Sequence, residues 1–184
     1  MNDILRKKIA HELMMWVPMT EELYVKLDNV RKIFTMDIDE YVRSFPKADL
    51  NREIKRLEKR GYIALTKKPD GWLIRLKKKG LRTWKKLQLE KLKFPIANKW
   101  DGKWRLFIFD IPEEKKNRRD LLSKKLKELG MFSIQRSSYI YPFDCRNELD
   151  LVTDYYEVTT HGTYGEIAKI DIDQELRTFF RKLI

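Results

Sequence analysis

The feature that most constrains the fold is an alternation of strand-like and helix-like segments in the second half of the chain. Residues 103–109 are rich in aromatic and β-branched side chains, and the run stops before Pro112, which cannot donate to a β-ladder. Residues 113–129 then carry leucines at helical spacing up to Gly130. Residues 131–142 are again rich in strand-forming residues. The pattern predicts a strand, a helix, and then one bent strand or two short strands.

The segments that follow complete a mixed arrangement of helices and strands. Asp144 is suited to cap a helix that runs to Val158, and residues 164–170 form a fourth strand-like run. Asp173 can cap a closing helix that extends to Leu183. The predicted order is β-α-β-β-α-β with an added helix, which is the order of the ferredoxin-like fold.

The net charge of the chain is confined to one segment. The formal charge is +12, and residues 52–93 hold 16 basic and 4 acidic residues. By contrast, residues 1–51 hold 8 basic and 9 acidic residues, and residues 94–184 hold 16 and 15. A local excess of this kind is typical of an anion-binding surface, since charge that serves solubility is spread over a chain.

The basic segment begins with a predicted helix that has one apolar face. Asp49 is suited to the N-cap position, and the helix ends at Gly61. Leu50, Ile54 and Leu57 fall on one face, so the cationic side chains point elsewhere. Two strand-like runs joined by a Pro-Asp-Gly turn follow directly, and they predict a β-hairpin.

A helix followed at once by a hairpin with basic residues at its tip is typical of a winged helix-turn-helix domain. The major groove of DNA admits a helix, and a hairpin can lie along the backbone. Helices predicted over residues 3–16 and 37–45 fit this plan, and residues 21–34 are also predicted to be helical. The alternative at this point is that the cations are simply solvated. The residues expected to contact DNA are Asn51, Arg52, Lys55, Arg56 and Lys59 of the helix, and Lys67, Lys68 and Arg75 of the hairpin.

A domain boundary is predicted near residues 94–98. A basic helix over residues 81–92 precedes this segment, and its proline stops the helical pattern. We therefore assign residues 1–93 to a winged-helix DNA-binding domain and residues 99–184 to a ferredoxin-like domain. The predicted fold class is α+β, with the winged helix-turn-helix domain first and the ferredoxin-like β-α-β-β-α-β domain second.

Several classes of protein are disfavoured by composition. The single cysteine, Cys145, excludes an intramolecular disulfide and fits a reducing compartment. His11 and His161 with one cysteine argue against a structural zinc site. No secretion signal or membrane-spanning apolar run is recognised. The expected location is the cytoplasm.

The second half of the chain resembles a ferredoxin-like domain that two families share. One is the PaaX-type repressor family, in which this domain follows a winged helix. The other is the small nuclease-fold protein of CRISPR spacer acquisition. The likeness covers about residues 100–172, and it is carried by Trp100-Asp101-Gly102-Lys103-Trp104-Arg105, Phe109-Asp110-Ile111-Pro112-Glu113, Arg118-Arg119 and Gln135-Arg136-Ser137-Ser138-Tyr139.

The likeness to PaaX-type repressors implies a homodimeric transcriptional regulator, with an inverted-repeat operator in double-stranded DNA as its partner. In this interpretation the protein is not an enzyme and needs no cofactor. PaaX-type repressors also carry a further C-terminal domain and respond to a coenzyme A thioester. The effector of this chain is left open.

The likeness to the CRISPR family implies a different function that depends on Asp110. In that family an aspartate at the end of the first strand faces its copy across a dimer axis and is proposed to hold a divalent metal. Carried to this chain, Asp110 is the candidate Mg²⁺ ligand and candidate catalytic residue of a metal-dependent endonuclease or spacer-acquisition component. The competing interpretation is that Asp110 caps the helix that follows Pro112.

Overall fold

The structure is a computed structural model that describes residues 23–26, 47–69 and 71–184. The chain divides into two compact units, Met1–Leu87 and Gln88–Ile184. The helices predicted over residues 3–16 and 37–45 lie outside the described residues. Within the described ranges, no helix combines the length and the apolar character needed to cross a membrane.

The first unit contains a three-stranded antiparallel sheet in the order β1-β3-β2. Its predicted helix and hairpin are both present, and the hairpin pairs Ile63 with Leu76 and Lys68 with Gly71. A winged-helix domain would also need the upstream helices, which are not among the described residues. The elements of the first unit are β1 (Leu23–Lys26), α1 (Lys47–Lys59), β2 (Ile63–Lys68), β3 (Gly71–Leu76) and α2 (Lys78–Lys91), whose last turn enters the second unit.

Strand β1 corrects one prediction. The helix expected over residues 21–34 is wrong at residues 23–26, which pair antiparallel with β3, with Leu23 opposite Ile74. Leucine, tyrosine and valine at these positions are compatible with a strand. Pairing also satisfies the backbone groups on the edge of β3 that faces away from β2. The secondary structure of this segment is therefore determined by its pairing with β3 and not by its local helical pattern.

The core of the first unit joins helix and hairpin. Ile54 and Leu57 of α1 are buried, as the apolar stripe predicts. Ile63 of β2 and Ile74 of β3 are also almost fully buried. The glycine after α1, Gly61, has φ +75°, a left-handed conformation that glycine adopts without strain. The helix therefore ends there and the chain turns directly into β2.

The second unit is ferredoxin-like, as predicted. Its four strands form an antiparallel sheet in the order β5-β6-β4-β7, and two helices connect strands as a β-α-β-β-α-β fold requires. The region after the first helix forms two short strands with an irregular register between Ser133 and Gln135. The elements are β4 (Trp104–Phe109), a 3₁₀ turn (Glu113–Lys115), α3 (Lys116–Glu128), β5 (Phe132–Gln135), β6 (Ser138–Tyr141), α4 (Arg146–Tyr155), a 3₁₀ turn (Thr159–His161), β7 (Gly162–Ile167) and α5 (Asp173–Phe179).

The two faces of this sheet are covered differently. Phe107 and Phe109 of β4 are buried on one face, in the same cluster as leucines of α3 and α4. The alternate residues of β4 lie on the opposite face. There Trp104 packs against Phe180 at the end of α5, with ring centroids 5.8 Å apart. Ile108 on this face is 41% exposed, so α5 covers part of the face and leaves the rest open.

Several predicted boundaries shift by a few residues. Asp144 lies one residue before the N-cap of α4, although its Oδ1 accepts a hydrogen bond from the Arg146 N–H at 3.1 Å. Asp173 lies one residue after the N-cap of α5, and its carboxylate accepts hydrogen bonds from Trp104 and Arg177. Strand β7 begins at Gly162, which pairs with Phe109, and it ends earlier than expected.

The segment predicted as a linker packs on the second unit. Phe94 is buried, and its ring meets the Tyr141 ring edge to face, with centroids 5.0 Å apart. The Tyr141 hydroxyl donates a hydrogen bond to the Pro95 carbonyl oxygen at 3.3 Å. At least these two residues are therefore held in place by the second unit.

Candidate nucleic-acid interface and the Asp110 region

Helix α1 presents most of the predicted DNA-contacting residues. Arg52, Lys55 and Lys59 are exposed, and Asn51 is half-buried. Burial of the apolar stripe fixes the rotation of the helix, so these polar side chains lie off the core-facing side. No ion pair or hydrogen bond within the described residues involves the side chains of Lys55 or Lys59. Their ammonium groups are therefore available to an anion.

Arg56 differs from the other predicted contacts. Its guanidinium donates to both carboxylate oxygens of Glu53, at 3.1 and 3.3 Å. The Glu53 side chain is only 2% exposed, and a buried carboxylate is costly unless a cation or donor pairs with it. Arg56 is therefore committed to holding Glu53 inside the unit. The Glu-x-x-Arg spacing on a helix was the sequence signal for this pair, and it was missed.

The hairpin carries the remaining predicted contacts near its tip. Lys67 is opposite Trp72 and Lys68 is opposite Gly71, next to the turn, and both lysines are exposed. Successive strand residues point to opposite faces, so the two lysines lie on either side of the hairpin. Arg75 is exposed further along β3, opposite Ala64. The tip can therefore reach phosphates from either face.

Helix and hairpin are joined without a flexible connection. The Tyr62 N–H donates to the Leu57 carbonyl at 2.9 Å, and the Gly61 N–H donates to the Glu58 carbonyl at 2.8 Å. These bonds close the end of α1 and fix the start of β2. The cations of α1 and of the hairpin tip thus belong to one folded unit.

Asp110 lies in the second unit, at the end of β4, and is exposed. Its backbone N–H donates to the His161 carbonyl at 2.9 Å. The following 3₁₀ turn has Pro112 at its N-cap and α3 has Lys115, and neither helix start has a side-chain capping bond. The interpretation of Asp110 as a helix cap is therefore wrong, because the extended Pro112 separates it from the first helical N–H groups.

The surroundings of Asp110 are basic and not carboxylate-rich. The Lys115 ammonium lies 3.0 Å from Nε2 of His161, the residue whose carbonyl binds the Asp110 backbone. Within residues 23–26, 47–69 and 71–184, no group of three or more His, Cys, Asp or Glu side chains could hold a metal ion. A cation at Asp110 would need ligands beyond those of one described protomer.

The tryptophan-rich motif before β4 is a packing and ion-pair cluster. Arg105, 8% exposed, binds Asp101 with two parallel hydrogen bonds of 2.9 and 2.6 Å. These bonds hold the pKa of the Asp101 carboxyl well below its usual range. Trp100 packs on Trp104 with centroids 4.6 Å apart, and Arg177 lies 4.6 Å above the Trp100 ring. The motif therefore contributes ring packing and an ion pair to the domain.

Other candidate residues of the second unit are also occupied. Arg118 pairs with Glu157 at 2.7 Å, and Arg119 pairs with Glu113 at 2.9 Å. Burial raises the pKa of the Cys145 thiol to about 12, so the thiolate is scarcely populated at neutral pH. These side chains are engaged within the domain.

Comparison with known proteins identifies the second unit. Residues 97–178 match the family model described as the PaaX protein central Cas2-like domain. The second unit is therefore similar to this PaaX domain. The match covers the residues that carry the resemblance to PaaX-type proteins, and it confirms that resemblance. PaaX-type proteins are transcriptional regulators that bind DNA, which fits a PaaX-like chain with a concentrated basic segment. No curated protein matches the chain significantly.

Proposed function

We propose that this PaaX-like protein is a repressor of transcription that binds an inverted-repeat operator as a homodimer. Its first 93 residues would form the winged-helix DNA-binding domain. The observation that carries the proposal is that four exposed lysines, Lys55 and Lys59 on α1 and Lys67 and Lys68 near the hairpin tip, make no ion pair with the described residues. This set lies in the segment that holds the net charge of the chain.

In the proposed complex, α1 enters the major groove. Asn51 and Arg52 have the side-chain types that read base edges, and Lys55 and Lys59 neutralise phosphates. The hairpin tip lies along the backbone, with Lys67 and Lys68 at phosphates. Arg75 extends this contact along β3. Arg56 would serve the interface by holding Glu53 in place and not by binding DNA itself.

The homodimer is proposed to form through the open face of the ferredoxin-like sheet. Leu106 is half-buried there, and Ile108 and Phe179 are 41% and 55% exposed. A second copy would remove this apolar surface from water. A two-fold dimer carries two copies of α1, which favours half-sites separated by whole turns of DNA.

The proposal is tested by selecting DNA from a random pool with the purified full-length protein. We expect an inverted repeat to be recovered. The double variant Lys55→Glu/Lys59→Glu should lose more than about 100-fold in affinity for the recovered site, since four phosphate contacts of a dimer become repulsions. The charge-matched control Lys124→Glu/Lys127→Glu, on α3, should bind almost normally.

Both double variants should show unchanged circular dichroism, because all four lysines are exposed. Recovery of no preferred sequence would contradict the proposal. So would equal affinity of the Lys55→Glu/Lys59→Glu variant and the wild type, which would remove α1 from the interface.

A second function rests on Asp110. Its exposed carboxylate at the end of β4 is where the CRISPR family would hold Mg²⁺ between two copies, which supports a metal-dependent endonuclease or spacer-acquisition component as the alternative. We expect the wild type to cleave neither DNA nor RNA with Mg²⁺ or Mn²⁺. Cleavage that is lost in Asp110→Asn, with dimerisation retained, would favour the nuclease.

A further inference from the structure

We infer that a second basic surface binds backbone phosphates of the DNA beyond the bases that α1 reads. The inference rests on the proposed function, and it assigns a DNA-contacting role to residues that the helix-and-hairpin pattern left out. We call this surface the junction cluster, because it forms where the end of α1 meets the start of α2. It consists of Arg60, Lys77, Lys78 and Arg82.

Three contacts hold the two segments together. The Lys77 N–H donates to the Tyr62 carbonyl at 2.9 Å. The Lys79 ammonium donates to the Arg60 carbonyl at 3.1 Å and lies 4.3 Å from the centre of the Tyr62 ring. Lys79 is therefore the residue that joins the segments. Lys77 and Lys78, which precede it in sequence, are exposed.

Gly80 makes the junction close. A Cβ atom at this position would overlap the Tyr62 carbonyl oxygen, so any other residue would push α2 away from the chain after α1. The first turn of α2 thus packs directly on backbone that continues from α1. The positions of the junction cluster relative to α1 are fixed by these contacts.

The four side chains of the junction cluster have no carboxylate near them. All four are exposed, and none makes an ion pair or side-chain hydrogen bond within the described part of the chain. Between Lys59 and Leu89 the sequence contains one acidic residue, Asp70. The cluster therefore holds a concentration of positive charge that the local chain does not neutralise.

The placement of this charge is unfavourable for the helix itself. The first turn of α2 contains no acidic residue and begins with consecutive lysines. The N-terminus of a helix carries partial positive charge, so cations there weaken the helix and repel each other. A bound phosphate would reverse both effects, since it pairs with the cations and with the dipole. The arrangement is thus suited to an anion outside the unit.

Duplex DNA is the partner that this geometry favours. Arg60 directly follows Lys59, one of the cations proposed to contact DNA, and both residues are exposed, so the junction cluster begins one residue after the proposed contacts of α1. A duplex presents phosphates on both sides of the groove that α1 would enter. We assign the cluster to phosphates that flank the operator half-site and not to base edges.

The test uses the full-length chain and the operator recovered by selection. The variant Arg60→Gln/Lys78→Gln/Arg82→Gln should bind the operator at least about tenfold more weakly at low salt. Its log-log salt dependence should be shallower by about 5, because a dimer loses six phosphate contacts. Its ranking of operator sequences should not change. By contrast, Lys55→Gln/Lys59→Gln combined with Asn51→Ala should reduce the differences in affinity between operator sequences.

A shorter operator supplies an independent arm of the test. Trimming the duplex to the two half-sites should weaken wild-type binding to the level of the triple variant and should leave the triple variant unaffected. The melting temperature of the triple variant should be equal to or above that of the wild type, because it relieves repulsion at the start of α2. A matched variant in the second unit, Lys124→Gln/Lys127→Gln/Arg181→Gln, should behave as wild type.

The outcomes separate this inference from the proposed function. If the wild type selects an operator but the triple variant binds it with unchanged affinity and salt dependence, the junction cluster is not part of the interface. Equal sensitivity of both proteins to flank trimming would lead to the same conclusion. If the wild type binds no duplex DNA, the proposed function fails and this inference fails with it.

Discussion

Several arginines of the second unit and two lysines of the first unit differ in how their positive charge is paired. In the second unit, arginines are paired with carboxylates: Arg105 with Asp101, Arg118 with Glu157 and Arg177 with Asp173, all within 2.7 Å. In the first unit, Lys55 and Lys59 are exposed and make no such pair within the described residues. A count of charges would rank both units as rich in cations. The pattern of pairing indicates which of them faces an external anion.

Arg56 is the informative exception in the first unit, because it is paired like an arginine of the second unit. We expect Arg56→Glu to lower the free energy of unfolding by about 3 kcal/mol, since it places a second carboxylate beside the buried Glu53. Lys55→Glu, one residue earlier and exposed, should change stability by less than about 0.5 kcal/mol. Urea denaturation of both variants measures the difference. Equal stability of the two variants would remove the distinction between paired and unpaired cations on α1.

Arg105 provides the corresponding test in the second unit. Arg105→Met should cost about 2 kcal/mol at pH 7, a value reduced from that of a fully buried pair because Asp101 is 48% exposed. The pKa of Asp101 is lowered in the folded state, so its contribution is present above the usual pKa and is lost as pH falls below about 4. The difference in stability between wild type and variant, measured from pH 7 to pH 2.5, should therefore be constant down to about pH 4 and should shrink progressively below it. A constant difference would mean that packing, not the ion pair, explains the cost.

A charge introduced on the open face of the second unit's sheet should weaken dimerisation. Ile108→Lys should weaken dimerisation at least about tenfold while leaving the protomer folded, because Ile108 is 41% exposed and packs little within its own chain. Multi-angle light scattering over a range of concentrations measures the dissociation constant. A control at the exposed Lys169, changed to Glu, should dimerise normally. If Ile108→Lys dimerises as the wild type does, the dimer uses another surface.

The local elements of the second unit could be predicted from sequence because strand-forming runs, leucine spacing and the breakers Pro112 and Gly130 agree with one another. Long-range effects could not. Strand β1 forms because it pairs with the free edge of β3, and the local sequence pattern does not show that this edge is present. The sequence likewise does not report that the apolar face of α1 also buries Glu53.

The candidate site was predictable in part for the same reason. Exposure of Lys55 and Lys59 follows from the apolar stripe of their helix. The pairing of Arg56 depends on how deeply Glu53 is buried, which the sequence does not show. The junction cluster depends on packing between segments that are far apart in sequence. The prediction that Asp110 caps the helix was wrong because the first helical turn begins only after Pro112.

The most direct test of the central claim is the salt dependence of operator binding. In a dimer, the eight phosphate contacts of Lys55, Lys59, Lys67 and Lys68 should contribute about −7 to the log-log slope of the wild type. In Lys55→Gln/Lys59→Gln/Lys67→Gln the slope should become shallower by about 5, and the charge-matched Lys116→Gln/Lys124→Gln/Lys127→Gln of the second unit should keep the wild-type slope. Equal slopes for the two triple variants would contradict the claim that the unpaired cations of the first unit form the DNA-binding surface.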